Sequence, residues 1–222
     1  MTIPATTQPT TLTTIASVAN ASARVARPAY GERLAACAEG KQGVVVGPGL
    51  GRWPGDDAWL RELWDAVQAP LVVDADGLNM LAAAGSPLSW PRRRAPTVLT
   101  PHPGEMARLC GLATPEVQRD RIGLARRYAE QKGVVLVLKG ARTVVATPQG
   151  GVYVNTTGNA GMATGGAGDV LAGVIGSLLA QGLDADAAAA LGVYLHGAAG
   201  DRAAAARPSP GSLIAGDIVE AL

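Results

Sequence analysis

Short runs of β-branched and other apolar residues recur along the first two thirds of this chain, and helical patterns separate them. Four runs are almost continuously apolar: Gly43–Gly47, Leu71–Asp74, Thr97–Thr100 and Val134–Lys139. Such runs predict parallel strands buried on both faces, because helices cover both sides of a parallel sheet. The stretches between them predict helices at Asp56–Gln68, Gly77–Ala84, Gly104–Cys110 and Pro115–Lys132, with Asp56 and Thr114 as N-caps. This alternation is typical of an α/β fold.

The last third of the chain predicts a different arrangement. Thr143–Thr147 and Val152–Asn155 are joined by Pro-Gln-Gly-Gly, which predicts a β-hairpin added to the parallel sheet. Helices are expected at Asp169–Gln181, Asp186–Ala206 and Ala215–Leu222. Because no repeat or linker divides the chain, we expect one three-layer α/β/α domain over residues 1–222, with residues 1–10 irregular.

Composition narrows the class of function. A net charge of +1 over 222 residues gives no reason to expect nucleic acid or an anionic membrane surface as a partner. Charged residues and glycines interrupt every stretch that could cross a bilayer. Cys37 and Cys110 lack metal-ligand spacing and are expected to be reduced in a cytoplasmic protein. The first 31 residues contain no acid, which fits either a transit peptide or an irregular N-terminus.

The segment from Asn159 to Gly173 says most about chemistry. Its glycines at 161, 165, 166 and 168 end at Asp169, and an apolar run with helical spacing follows. Gly165–Gly168 is therefore predicted to be a loop into a helix N-terminus, where free N–H groups favour a phosphate. Since a carboxylate repels a bound phosphate, Asp169 is better explained as a base that deprotonates an attacking hydroxyl. The alternative is that Asp169 is only an N-cap.

Polar residues also follow each predicted strand, at the sheet edge where an open parallel sheet binds ligands. The glycines of Gly47–Gly51 allow a ligand to approach the backbone closely. Such a loop alone is weak evidence for a binding site. Asp74, Asp76 and Asn79 either contact sugar hydroxyls or Mg²⁺ through water, or form a capped turn. His102 stands between two prolines and is a candidate ligand contact.

Two further positions complete the candidate residues. Lys139–Thr143 leaves a buried strand beside a glycine, which suits a nucleotide phosphate, although an ordinary hairpin entrance has the same pattern. His196 lies in a predicted helix among Leu195, Gly197 and Ala198, and we expect it to serve packing. Because a P-loop, a Ser–His–Asp order and a His/Cys metal cluster are all missing from the sequence, the residues alone predict a phosphoryl-transfer site and no more.

These motifs, taken in order, resemble the NAD(P)H-hydrate dehydratase family of the ribokinase-like fold. The motifs that carry the resemblance are Gly47–Gly51, Asp74–Asn79, Leu99–Glu105, Leu138–Ala141 and Gly161–Asp169, followed by Tyr194–Gly197 and Ala215–Ile218. The resemblance runs from about residue 10 to the end. It implies repair of NADH or NADPH that has added water at the nicotinamide ring. Members dehydrate the S epimer with Mg²⁺ and ADP, or with ATP in eukaryotes, and release AMP or ADP and phosphate.

The resemblance also assigns roles to residues. It implies that Asp169 is the catalytic base and that Gly51, His102 and Asp169 contact the hydrate. It places the adenine nucleotide against Gly168 and the segment Lys139, Gly140, Ala141, Arg142 and Thr143. Gly165, Gly166 and Gly168 would hold the charge that develops on the phosphate. The wording Gly-Met-Ala-Thr-Gly-Gly is similar to prokaryotic members and favours ADP.

The resemblance has one departure and leaves alternatives open. Members ordinarily open with a further strand, a Gly-Gly-Ser-type loop and a helix that have no counterpart here. We expect either a piece of a longer chain or a shortened protein whose sheet edge a partner covers. Family habit implies a homo-oligomer, and specifically a tetramer. A small-molecule kinase of the same fold and an inactive nucleotide-binding protein are the alternative functions.

Overall fold

One mixed sheet organises the parts of the chain that the computed structural model describes, which are residues 12–14 (backbone only), 38–84 and 90–222. Its seven strands lie across the sheet in the same order as along the chain. They are β1 (Leu12–Thr14), β2 (Gly43–Val46), β3 (Leu71–Val73), β4 (Thr97–Leu99), β5 (Val135–Leu138), β6 (Val144–Ala146) and β7 (Val152–Val154). Strands β1 to β5 are parallel, whereas β6 and β7 are antiparallel additions. The predicted α/β fold and its terminal hairpin are confirmed.

Helices connect the parallel strands and follow the hairpin. They are α1 (Asp56–Ala66), α2 (Ala75–Ala83), α3 (Pro103–Cys110), α4 (Thr114–Arg119), α5 (Arg121–Lys132), α6 (Ala167–Ala180), α7 (Ala185–Ala205) and α8 (Ala215–Glu220). The predictions for residues 1–10, for the first 31 residues as a leader and for Cys37 lie outside the described side chains. Within the described parts of the chain, every helix is too short or too polar to cross a membrane.

Alternate residues of each strand face opposite layers, as the two-residue period of a strand requires. Val44, Val46, Leu71 and Val73 pack with α1, α2 and α3 on one face. On the other face, Val45 and Val72 pack against Leu171 and Ile175 of α6 and Val193 of α7. The apolar runs are therefore explained by burial on both sides of the sheet.

The structure corrects two details of the helix prediction. The predicted helix Pro115–Lys132 is two helices, because Asp120 leaves the helical region at φ −142° and its carboxylate caps α5 by accepting the N–H of Gly123 at 2.8 Å. Asp56 and Thr114 are wrong as N-caps, since each is the first residue inside its helix. The positive end of the helix dipole favours an acid such as Asp56 in the first turn.

The parallel direction of β2 to β5 decides where the polar loops meet. The carboxyl ends of these strands lie along one edge of the sheet. Residues 47–51, 74–77, 100–104 and 139–143 all follow those ends. Helix α6 packs against β2 and β3 on the face of the sheet opposite to α1, α2 and α3. It begins at the same edge of the sheet as these loops.

Candidate active site

The N-terminus of α6 is the centre of the candidate site. Gly166 precedes the helix with φ +86°, a left-handed conformation that a side chain would strain, and α6 begins at Ala167. Gly168 and Asp169 follow in the first turn, so their N–H groups have no partner inside the helix. The predicted loop and helix N-terminus are thus present, with α6 starting two residues before the predicted Asp169. Asp169 lies within the first turn and is not the N-cap.

A buried ion pair lies directly below this turn. Nζ of Lys139 is 2.6 Å from Oδ1 of Asp74, whose side chain is 1% exposed. The same ammonium is 3.9 Å from Oε2 of Glu105. Oδ2 of Asp74 is buried and has no hydrogen-bond partner in the described part of the chain. A Cβ at Gly168 would lie 3.2 Å from Nζ of Lys139, a tight contact, so this turn lies close against the pair.

Asp169 is exposed at this point, and its surroundings favour the protonated form. Burial of part of the carboxyl raises its pKa, the charge of Asp74 raises it further, and Lys139 opposes both effects. Its carboxylate forms no side-chain ion pair or hydrogen bond with another described residue. A carboxylate with a raised pKa is a stronger base than an ordinary aspartate, which suits proton abstraction.

The loop after β2 is held against the turn after β3. Gly47 has φ +126°, and a Cβ there would lie 1.7 Å from the backbone oxygen of Asp74. At the other end of the loop, the N–H of Gly51 donates to Oδ2 of Asp76 at 2.8 Å. Asn79 instead accepts a hydrogen bond from Nε of Arg108 at 2.9 Å. Asp76 and Asn79 thus position neighbouring segments, and Asp74 faces Lys139.

His102 caps α3, and its imidazole is half exposed beside the ion pair. Its Nδ1 accepts the N–H of Gly104 at 3.0 Å, and its Nε2 is 3.4 Å from Oε1 of Glu105. Burial lowers the pKa of His102, and the charges of Lys139 and Arg108 lower it further. The contact with Glu105 is therefore made by a neutral ring at neutral pH and is not an ion pair. The pKa of Glu105 is raised, and burial of its carboxyl group is the largest cause.

The segment after β5 forms a turn whose backbone is fixed from two sides. Nη2 of Arg121 donates to the backbone oxygens of Leu138 and Lys139 at 3.0 and 3.2 Å. Oγ1 of Thr143 donates to the backbone oxygen of Gly140 at 3.0 Å. Gly140, Ala141 and Arg142 are exposed. Through Lys139 this turn meets the first turn of α6, so the predicted nucleotide-contacting segments adjoin one another.

Sequence reasoning missed the pairing of Asp74 with Lys139. The two residues are 65 positions apart, and β4 lies between their strands. The available signal was that an acid and a base each follow a buried strand on the same sheet edge. A buried charge needs a partner of opposite sign, and that requirement could have joined them.

Comparison with known proteins identifies the ancestry of this arrangement. The family described as NAD(P)H-hydrate dehydratase matches residues 8–221. The chain is 52% identical over 179 residues to a bifunctional NAD(P)H-hydrate repair enzyme of Moorella thermoacetica, covering 81% of this chain and 33% of that protein. It is 44% identical over 178 residues to an ADP-dependent (S)-NAD(P)H-hydrate dehydratase of Neisseria meningitidis, covering 80% and 60%.

A solved structure agrees with these relatives. The ADP/ATP-dependent NAD(P)H-hydrate dehydratase of Bacillus subtilis, co-crystallised with ATP and Mg²⁺, superposes with a TM-score of 0.72 and 33% identity. The match covers 81% of this chain and 62% of that structure. The chain thus spans between one third and about three fifths of the length of these relatives. It belongs to the NAD(P)H-hydrate dehydratase family.

Proposed function

We propose that this protein dehydrates the S epimer of NADH or NADPH hydrate in an ADP-dependent reaction that releases AMP and phosphate. One observation carries the proposal: an exposed carboxylate with a raised pKa, Asp169, stands in the first turn of α6 beside unpaired N–H groups. The named activities of the relatives from Neisseria meningitidis and Bacillus subtilis support it. The reaction is a hydro-lyase reaction that repairs a damaged nicotinamide cofactor.

The proposed mechanism converts a poor leaving group into a good one. Asp169 takes the proton of the hydrate hydroxyl, and the oxygen attacks the terminal phosphorus of ADP. The bond between that phosphorus and the bridging oxygen breaks, and AMP leaves. The ring nitrogen lone pair then expels phosphate from carbon, and loss of a ring proton restores the dihydronicotinamide. Charge that develops on the phosphoryl oxygens faces the N–H groups of Gly168 and Asp169.

The adenine nucleotide is proposed to lie between two adjoining turns. Gly165, Gly166 and Gly168 offer backbone N–H groups at the start of α6, and Lys139, Gly140, Ala141, Arg142 and Thr143 line the turn after β5. Lys139 is already paired with Asp74 beside this turn. Because the pair has no net charge, Lys139 would act on the phosphates mainly through the electric field of the pair. Its direct contact with the nucleotide stays a prediction.

Mg²⁺ would accompany the nucleotide phosphates. Within the described residues, no group of three or more acidic, histidine or cysteine side chains could hold a metal ion by itself. That fits Mg²⁺, which usually keeps several waters and is held partly by phosphate oxygens. The buried, unpartnered Oδ2 of Asp74 is a protein oxygen that suits one of those waters. The ion would neutralise phosphate charge there.

The hydrate is proposed to lie against Gly51, His102 and Asp169. The neutral imidazole of His102 is half exposed and rigidly oriented by its cap hydrogen bonds. Gly51 is fixed by Asp76, and its lack of a side chain leaves the space beside it open. In this proposal the hydrate meets one oriented ring, one exposed stretch of backbone and the base.

A direct assay tests the proposal. The protein is mixed with NADPH hydrate, Mg²⁺ and either ADP or ATP, and the return of dihydronicotinamide absorbance is followed together with phosphate release. With ADP as the nucleotide, recovery of NADPH with equimolar phosphate and AMP supports the proposal. A stable phosphorylated product would favour a kinase, and nucleotide binding without turnover would favour an inactive binding protein.

We also propose that the chain self-associates as a homo-oligomer. Strand β7 forms one edge of the sheet, and its three apolar residues are all exposed: Val152, Tyr153 and Val154. Leu191, Tyr194 and Leu195 of α7 are exposed as well, and Oγ1 of Thr157, just after β7, donates to the backbone oxygen of Tyr194. Exposed apolar edge strands are usually covered, and a second copy is the partner that family resemblance suggests.

A further inference from the structure

The segment between β7 and α6 lies against α7. Oγ1 of Thr157 donates to the backbone oxygen of Tyr194 at 3.0 Å. A Cβ at Gly197 would lie 2.2 Å from that Oγ1 and 2.9 Å from the backbone carbonyl carbon of Thr157, so glycine is what gives the segment room here. A Cβ at Gly200 would lie 2.3 Å from Sδ of Met162, so Met162 packs closely on the same helix. The two glycines of α7 thus serve its contact with this segment.

Asn159 holds the segment through both polar atoms of its side chain. Its Nδ2 donates to the backbone oxygen of Gly200 at 3.0 Å and to Oδ1 of Asp201 at 2.9 Å. Its Oδ1 accepts the N–H of Gly161 at 3.0 Å and so caps the short 3₁₀ turn that follows. The other carboxylate oxygen of Asp201 accepts the N–H of Gly158 at 2.8 Å. The two side chains therefore form a clamp, the Asn159–Asp201 clamp, that fixes the segment on α7.

Packing connects the clamp to the first turn of α6. Met162, the last residue of the capped 3₁₀ turn, packs against an apolar cluster whose members include Ala167 of α6 and Ala199 of α7. Ala167 is buried and is the first residue of α6, and Gly168 and Asp169 follow it. Because only residues 163–166 separate Met162 from α6, the position of the clamped turn constrains where the helix begins.

We infer that Asn159 and Asp201 are positioning residues: their clamp sets the path of residues 158–166, and with it the placement of Asp169 and the N–H groups of Gly168 and Asp169. Both act through this segment and are not catalytic residues. Because a misplacement of about 1 Å can cost roughly 10²-fold in rate, a clamp that sets this turn can govern kcat without contacting substrate. The kinetic part of this inference rests on the proposed function, whereas the structural part does not.

Exchange of the two side chains tests the clamp. Asn159→Asp keeps the shape of the side chain but removes both N–H donors and sets one carboxylate against another. Adding Asp201→Asn returns an amide to the pair and restores the bond between the side chains. We expect Asn159→Asp to lower kcat by about 10- to 100-fold, with the hydrate KM changed less than about threefold, and the double variant to be at least about threefold faster than the single one. A single variant with wild-type kcat, or a double variant that is no faster, would overturn the inference.

Two further variants separate positioning from loss of the fold. Asp184→Asn is the matched control, because Asp184 is an exposed acid at the other end of α7 without a side-chain cap hydrogen bond, and it should leave kcat unchanged. Asp201→Ala removes the carboxylate without placing like charges together, so it answers the question if Asn159→Asp does not fold. We expect it to lower kcat by about three- to tenfold. Wild-type kcat in Asp201→Ala, or an equal loss in Asp184→Asn, would contradict the positioning role.

Hydrogen–deuterium exchange provides a readout that needs no turnover. Peptides covering residues 157–169 should exchange faster in Asn159→Asp than in the wild type and more slowly again in the double variant, whereas peptides from α3 should be unchanged. If the wild-type protein shows no dehydratase activity, the proposed function fails, but this pattern of exchange still supports the clamp. Unchanged exchange over residues 157–169, or an equal increase in α3, contradicts it.

Discussion

Asp169 differs from other exposed acids of this chain because of what surrounds it. It stands in a helix first turn above a buried ion pair, and its pKa is raised by partial burial and by Asp74. A first-turn acid is ordinarily favoured by the helix dipole. Here that favourable position coincides with a site suited to phosphate, which is consistent with a role in proton transfer.

Replacement of the base tests this assignment directly. Asp169→Asn keeps the size and hydrogen-bonding shape of the side chain but cannot accept a proton at neutral pH. We expect kcat to fall by roughly 10²- to 10⁴-fold, while the affinity for ADP, measured by titration calorimetry, changes little. Asp57→Asn, at a partly buried acid in the first turn of α1, is a matched control and should leave both values unchanged. Substantial turnover by Asp169→Asn would contradict the base assignment.

The pH dependence of kcat/KM reports on the same group. Because Asp169 acts when ionised and its pKa is raised, activity should increase with pH through a limb that lies above the range of an ordinary aspartate. Asp74→Asn removes a negative charge that raises this pKa, so the limb should move to lower pH. Asp76→Asn, in the same turn, is the control and should leave the limb in place. A limb that moves upward in Asp74→Asn would refute the coupling.

At the scale of elements, the site depends on how closely two loops approach. The turn after β3 and the loop after β2 touch at Gly47, where the backbone has φ +126° and the oxygen of Asp74 fills the position of a Cβ. This contact keeps Gly51 beside Asp76 and Asp74 beside Lys139. The glycines were visible in the sequence, but which of them is obligatory depends on the distance to a segment 27 residues away.

A pair of glycine substitutions tests this contact. Gly47→Ala combines backbone strain with a steric clash, and we expect the free energy of unfolding to fall by about 3 kcal/mol or more. Gly49→Ala, at φ +69° with no atom near its Cβ, should cost only about 1–2 kcal/mol. Urea denaturation measures both values. Equal losses would show that the approach to Asp74 is not what requires glycine.

At the scale of the whole molecule, the feature that stands out among the described residues is the exposed sheet edge at β7. Its three residues are apolar and exposed, and the neighbouring side chains of α7 extend the apolar surface. Such an edge invites association with another strand or surface. The residues of this surface are not among those assigned to the hydrate or the nucleotide, so association and chemistry can be tested separately.

Light scattering tests the oligomer. We expect the wild type to have a mass that is a multiple of 22.4 kDa, and Val152→Lys on β7 to shift it toward the monomer. Ile122→Lys, at an equally apolar exposed position on α5, is the control and should leave the mass unchanged. A monomeric wild type, or equal effects of the two lysines, would disprove the proposed interface.

The sequence by itself determined the layer architecture, the position of the β-hairpin and the loop that precedes Asp169. These features follow from strand and helix periodicity and from glycine clusters, which are local properties of the chain. Tertiary structure decided what local pattern cannot contain. It paired Asp74 with Lys139 across an intervening strand and turned Asp120 into a break between two helices. The physical reason is that buried charges and polar groups are satisfied by partners close in space, whatever their separation along the chain.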